Sequence, residues 1–143
     1  MSSSWNMKQG PNFAPAYQVS GTPFVLTASN VAHTAGNVTK ITFPHVTRWV
    51  TITATDGATG ALRIGFSENG VNSNPKANYY LLQLADVGGS TFSATTGRLE
   101  LRCKELYIRA DGATIDNVSV IAGLTGIESF PVLTGSNGFK GVG

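Results

Sequence analysis

Over most of the middle of the chain, apolar and polar residues alternate with the two-residue period of half-buried strands. The run FPHVTRWVTITA, 43–54, places Val46, Val50, Ile52 and Ala54 on one face and Thr47, Trp49, Thr51 and Thr53 on the other. ALRIGFS, 61–67, turns Leu62, Ile64 and Phe66 inward and Arg63 and Gly65 outward. NYYLLQL, 78–84, sets Tyr80, Leu82 and Leu84 against Tyr79 and Leu81, and NVSVIAGL, 117–124, aligns Val118, Val120 and Ala122. PFVLT, 23–27, and VTKITF, 38–43, read as shorter strands. Turn chemistry separates these runs: Asp56-Gly57, then ENGVNSNP at 68–75, where Asn69-Gly70 suits positive φ. DVGGSTFSATTG, 86–97, reads as loop. The total is about eight strands.

One stretch carries two periods at once. In GRLELRCKELYIRADG, 97–112, Leu99, Cys103, Leu106 and Ala110 fall on a helical stripe, while Leu99, Leu101 and Cys103 alternate as a strand and Leu106 and Ile108 alternate in the opposite phase. A helix exposes Leu101 and Ile108, and both flanks are strand territory. The expectation is therefore two strand pieces, 98–103 and 105–110. The phase slips at Lys104-Glu105, as at a bulge or where a strand passes from one sheet to another. Cys103 is then a small buried hydrophobe and the arginines of the stretch point to solvent.

Eight short strands joined by Gly, Asn, Asp and Pro turns give an all-β fold: an antiparallel two-sheet sandwich, with a jelly roll as the expected version and an immunoglobulin-like order as its competitor. The 143 residues are enough for one domain with its own core. Its expected extent is 23–125, between an N-terminal arm, 1–22, and a C-terminal arm, 126–143. The arms hold almost no charge yet are rich in aromatic residues, unlike disordered tails, which are charged and poor in aromatics. Flexible termini and extended arms that dock on a neighbouring subunit both fit that composition. In the docking reading the contact residues are Trp5, Phe13 and Tyr17 in front and Phe130 and Phe139 behind, and Trp49, on the Thr-rich strand face, is either covered by an arm of its own or a neighbouring chain or is itself a partner-binding anchor.

Composition removes several functions. Only 13% of residues are charged and the net charge is +2, which leaves no electrostatic footprint for nucleic acid. No run approaches membrane-spanning length, and the start MSSSWNMKQG lacks the apolar stretch of a signal peptide, so synthesis and assembly in a host cytoplasm are expected. One cysteine and two histidines, His33 and His45, offer no disulfide framework and no metal-ligand spacing. No nucleophile elbow, P-loop or dinucleotide fingerprint occurs. No catalytic residue, cofactor or metal is assigned, and the chain reads as a non-enzyme.

The phrases GPNFAPAYQVSGTPF, TRWVTI, LRIGFSENGV, LELRCKELYIRAD, VSVIAGLTGI and LTGSNGFKGVG together resemble small virion structural proteins of tailed bacteriophages, marine ones in particular. Within that group the chain is similar to head decoration, or cement, proteins. The resemblance implies a subunit, commonly a homotrimer, that sits on the capsid surface and locks neighbouring major capsid subunits together. It carries over no site residue, because such families share no functional motif. Two other functions compete: a tail-fibre adhesin or carbohydrate-binding sandwich that uses Trp49, Tyr79 or Tyr107, and a small polysaccharide-cleaving enzyme.

Overall fold

A computed structural model describes residues 21–73 and 77–128. The chain runs β1 (Thr22–Val31), β2 (Thr39–Thr42), β3 (Thr47–Asp56), β4 (Ala61–Gly65), a one-turn helix α1 (Glu68–Asn72), β5 (Tyr80–Gln83), β6 (Ala85–Gly88), β7 (Thr91–Thr95), β8 (Glu105–Asp111) and β9 (Ile115–Leu124). All pairings are antiparallel. They build a five-stranded sheet in the order β1-β9-β3-β7-β6 and a four-stranded sheet in the order β2-β8-β4-β5. The molecule is an all-β sandwich of two antiparallel sheets. Only β4–β5 and β6–β7 are joined within a sheet; every other connection crosses to the opposite one.

The alternation decides which side chains fill the interior. Val50, Ile52 and Ala54 of β3 are fully buried in one cluster with Leu62 of β4 and Leu106, Ile108 and Ala110 of β8, and Val46 just before β3 is fully buried as well. Val118, Val120 and Ala122 of β9 complete the five-stranded side, while Phe43 closes one end, edge-on to Phe24 with ring centroids 5.1 Å apart. These are the faces the sequence pattern assigns, except that Thr47, expected outward with Trp49, is fully buried because the register shifts between the two and turns its hydroxyl to Leu101 and Cys103. Tyr80 shares the phase of Leu82 but lies at the rim, 63% exposed.

Three local expectations are corrected. Residues 86–97 are not loop: β6 and β7 form a hairpin at the edge of the five-stranded sheet. Gly88 and Gly89 turn it with positive φ, which removes the cost a side chain would meet there. Asn69-Gly70 does not form a positive-φ turn but lies inside α1, whose N-cap Ser67 accepts a hydrogen bond from the Gly70 N–H; the left-handed residue is Ser73, at the C-cap. In the ambiguous stretch, Glu105–Asp111 is strand β8, but 98–103 is not a strand. Its only ladder contact is the bridge Val50–Leu99 to the five-stranded sheet. The segment is leaving one sheet for the other, so neither ladder holds it along its length.

If the alternation fixes the interior, Leu62→Ala should destabilise the protein by about 2–5 kcal/mol, the range for emptying a fully buried aliphatic site. Thr53→Ala, on the outward face of β3, should stay within about 0.5 kcal/mol. Urea denaturation of both variants checks this, and equal losses would contradict the assigned phase.

Candidate functional site

The two outer faces of the sandwich differ sharply in charge. On the four-stranded sheet, Lys40 of β2 pairs with Glu105 of β8 at 3.1 Å, and the Tyr107 hydroxyl donates to Glu105 at 3.1 Å. The bond to Glu105 raises the Lys40 pKa, and burial, reinforced by Glu105, raises that of Tyr107. Arg63 of β4 lies opposite Arg109 of β8 in the ladder. The two like charges are separated in function by their partners. Arg63 donates twice to one Asp111 oxygen, at 2.8 and 2.6 Å, and Arg109 donates twice to the His33 carbonyl, at 3.0 and 2.7 Å. Both also reach the Val71 carbonyl at the end of α1, at 2.9 and 3.4 Å. Two guanidiniums at a helix C-terminus satisfy carbonyls that have no intrahelical donor. They fasten α1 across the outside of the sheet.

Arg109 corrects the expectation that all arginines of the 97–112 stretch point to solvent. Arg98 and Arg102 do, but Arg109 is buried under α1 and the His33 loop. Burial lowers its pKa, and the Arg63 charge adds to that. This polar cluster is saturated with internal partners and works as a fastener for the helix.

The five-stranded sheet presents a different outer face. The ladder places Pro23, Gly123 and Trp49 in one row and Val25, Ile121 and Thr51 in the next. Rows of Thr27, Ser119 and Thr53, then Ser29, Asn117 and Thr55, follow. Beyond β3, Thr95 and Ser93 continue the last two rows. None of these outward positions carries a charge. Val25 is 72% exposed and Ile121 46%, side by side on the edge strand β1 and its neighbour β9. The face therefore has an apolar patch at its β1 edge, next to the Trp49 row, and neutral hydroxyls on the rows that follow.

Trp49 is the one site residue from the sequence that the structure describes. Its indole lies over Gly123: a β-carbon built there would fall 2.3 Å from Nε1. The Arg98 guanidinium stands 5.4 Å from the ring centroid, and Arg98 is itself paired with Glu100. Trp5, Phe13, Tyr17, Phe130 and Phe139 lie outside the described residues, as do most of both expected arms. At the domain limits, β1 begins at Thr22, and Thr125 and Ile127 are tied by backbone hydrogen bonds to Val46.

A cavity of about 510 Å³ opens between the sheets where the 96–101 segment leaves β7. Its walls are chiefly Ile52, Ile64, Phe66, Leu99, Leu101 and Leu106. Asn78, Tyr79, Tyr80 and Thr96 contribute polar side chains, and among the described residues no acid, histidine, lysine or cysteine lines it. The described walls can hold an apolar group and themselves offer no proton donor or acceptor in the neutral pH range. Among the described residues no three or more His, Cys, Asp or Glu side chains come together to hold a metal, and no described helix is long and apolar enough to cross a membrane.

Cys103 is buried beside Thr47, whose hydroxyl contacts the sulfur at 3.4 Å. Burial pushes its pKa up to about 11, against the weaker lowering effect of that hydroxyl. A thiol held protonated is a poor nucleophile.

Sequence reasoning missed the Val25–Ile121 pair and the cavity. The first left a trace, because Val25 and Ile121 are apolar at positions where the alternation calls for polar residues. The cavity left none, since its walls come from segments up to 54 positions apart, Ile52 to Leu106. No protein-family model matches the chain, and no curated protein or solved structure does so either.

Two outcomes are expected. Gly123→Ala should displace the Trp49 indole and cost about 1–3 kcal/mol, as overpacking does. In a Trp5→Phe background the tryptophan emission should shift with it, and unchanged emission and stability would contradict the stacked position. Cys103 should react slowly with a thiol reagent in the native protein and rapidly in denaturant. Its folded pKa lies above the unfolded one, so its contribution to stability is complete below pH 9 and is lost as pH rises from about 9 to about 11. A Cys103→Ala comparison across that window isolates the effect, and rapid native labelling would place the thiol at the surface.

Proposed function

We propose that the protein is a non-catalytic structural component of a virion that decorates a bacteriophage capsid and cements neighbouring major capsid subunits. The observation that carries this reading is the uncharged outward ladder of the five-stranded sheet, with the adjacent Val25 and Ile121 exposed at its β1 edge. Apolar residues next to uncharged hydroxyls match the charge depletion of a binding patch. Burying those ladder positions removes no ion from water, the Arg98–Glu100 pair beside Trp49 standing at one end, so the desolvation penalty that opposes charged contacts is small. Hydroxyls donate and accept, so they adapt to backbone groups of either polarity on a partner. The partners in this reading are the major capsid protein and further copies of the chain, a trimer being the assembly the resemblance implies, with no role for nucleic acid or membrane. The location is the capsid surface after assembly in the host cytoplasm.

The strand order supports reading the sandwich as a jelly roll with β6 added at one edge, since β1-β9-β3-β7 and β2-β8-β4-β5 interleave the chain through two crossing layers. Trp5, Phe13, Tyr17, Phe130 and Phe139 remain the arm residues proposed for partner contact, with Trp49 at the edge of the neutral face.

The carbohydrate-binding alternative is weaker because its three aromatic residues are already engaged. Trp49 carries Arg98, Tyr79 carries Arg63 at 4.5 Å, and Tyr107 carries Lys40 at 6.0 Å. A sugar stacking on any of them displaces a cation from the ring.

The test is binding to undecorated heads. Val25→Asp and Ile121→Asp both place a charge on the outward face without entering the core, so melting temperature should hold. Occupancy at a fixed concentration should correspond to at least about a tenfold loss of affinity, and wild-type binding should survive moderate salt. Heads decorated equally by both variants and the wild type would remove the face from the contact.

A further inference from the structure

We infer that the cavity between the sheets is a binding site for a small uncharged aromatic molecule that carries a hydroxyl or amide at its edge. Its volume, about 510 Å³, lies within the roughly 300–1,000 Å³ of small-molecule sites. One wall is Leu99 and Leu101, on the segment that leaves β7; another is Ile64 of β4 and Phe66 just after it. Leu99, Leu101, Phe66 and Tyr79 are half-buried where they line the space. An apolar occupant would remove that remaining surface from water. The rings of Phe66 and Tyr79 offer a second aromatic group the offset and edge contacts that such rings prefer.

The free polar groups lie to one side. Asn78 and Tyr80 come from the approach to β5 and its first residue. Among the described residues, the half-buried Asn78 amide and the Tyr80 hydroxyl have no hydrogen-bond partner. An amide both donates and accepts, so it can pair with a hydroxyl or with another amide. Thr96, on the crossing segment, is already committed: its hydroxyl accepts from the Ile52 N–H and donates to the Gly97 carbonyl. A ligand with its polar group toward 78–80 would therefore place its ring between Ile64 and Phe66 on one side and Leu99 and Leu101 on the other.

The walls also exclude an ion. No described lining residue is charged. Arg63 stands 4.5 Å from the centroid of the Tyr79 ring, but it is paired with Asp111 at 2.6 Å. A charged ligand would lose hydration without gaining a counter-ion. The same pairing fixes the Tyr79 wall before a ligand arrives, which lowers the ordering cost of binding. None of this rests on the capsid reading, and the measurements use the free chain.

The test titrates the full chain with 1-naphthol and follows melting temperature and methyl NMR signals. The melting temperature should rise with added naphthol and saturate. Naphthol protons should show nuclear Overhauser contacts to methyls of Ile64, Leu99, Leu101 or Leu106. The anion 1-naphthalenesulfonate, with the same ring system, should bind at least about tenfold more weakly. The double variant Asn78→Ala/Tyr80→Phe should lose affinity for 1-naphthol several-fold and keep its affinity for naphthalene, which has no group to pair. Tyr80→Phe alone, at the exposed rim, gives the same comparison if the double variant loses stability. No binding up to the solubility of 1-naphthol, contacts confined to other surfaces such as Val25 and Ile121, or equal affinity for the sulfonate would overturn the assignment. Variants that bind 1-naphthol as the wild type does, or that lose both ligands equally, would overturn the role given to the polar side.

Discussion

The architecture turns on one segment that has to change sheets while keeping its backbone groups paired. Buried N–H and C=O groups without partners are costly, so a chain crossing a sandwich needs donors and acceptors along the way. Between β7 and β8 threonines supply them. The Thr96 hydroxyl accepts from the Ile52 N–H at 3.1 Å and donates to the Gly97 carbonyl at 2.7 Å. Leu99 and Val50 exchange backbone bonds at 2.8 Å each. The fully buried Thr47 then accepts from the Cys103 N–H at 3.0 Å, donates to the Leu101 carbonyl, and gives its own N–H to the Cys103 carbonyl at 2.9 Å. Two consequences follow from this path. Cys103 is locked against Thr47 in the interior, where its thiol stays protonated. The sheets are also left unfilled where 96–101 peels away, which creates the cavity.

The same sandwich solves its two outer surfaces in opposite ways. The four-stranded face is charged, and its charges are consumed internally: Lys40 on Glu105, Arg63 on Asp111, Arg109 on the His33 carbonyl, and both arginines on α1. Leaving one of those carbonyls buried and unpaired costs about 1–3 kcal/mol, so the arginine pair is held in place by what it satisfies. On the five-stranded face the Arg98–Glu100 pair beside Trp49 is of this kind, and the outward ladder positions are uncharged. Its rows of threonine and serine suit a pleated strand surface and stay soluble without charge. Such a face is free to meet another protein because no internal network must be dismantled first.

The interior was legible in the sequence because alternation is a direct consequence of strand geometry. Val46, Val50, Ile52 and Ala54 needed only a two-residue period to be placed. The β6–β7 hairpin was not legible: Gly88, Gly89 and Ser90 form its turn, β6 is an exposed edge, and β7 is half-buried along its length, so neither strand alternates with contrast. Arg109 was not legible either. Its outward phase was correct, but what covers an outward face is a tertiary fact, here α1 and the His33 loop. The double period of 97–112 was legible as a conflict. The sheet change at Lys104 was among the options it left open, while the loss of strand structure before it depended on how the five-stranded sheet ends.

In the capsid reading proposed above, a structural subunit has to resist force while remaining easy to add. Interior packing and the crossing segment hold the two sheets together, and among the described residues no cluster of three or more His, Cys, Asp or Glu comes together to hold a metal. A neutral face contributes contact that salt does not screen, so its strength follows apolar area and shape rather than ionic conditions. Small patches of that kind bind weakly one at a time. Repetition over a lattice converts modest single contacts into stable occupancy, because each bound copy holds the next at high effective concentration. On that reasoning the low charge of the chain, 13% of its residues, matters most on the outward rows of the five-stranded sheet, whose paired positions carry none.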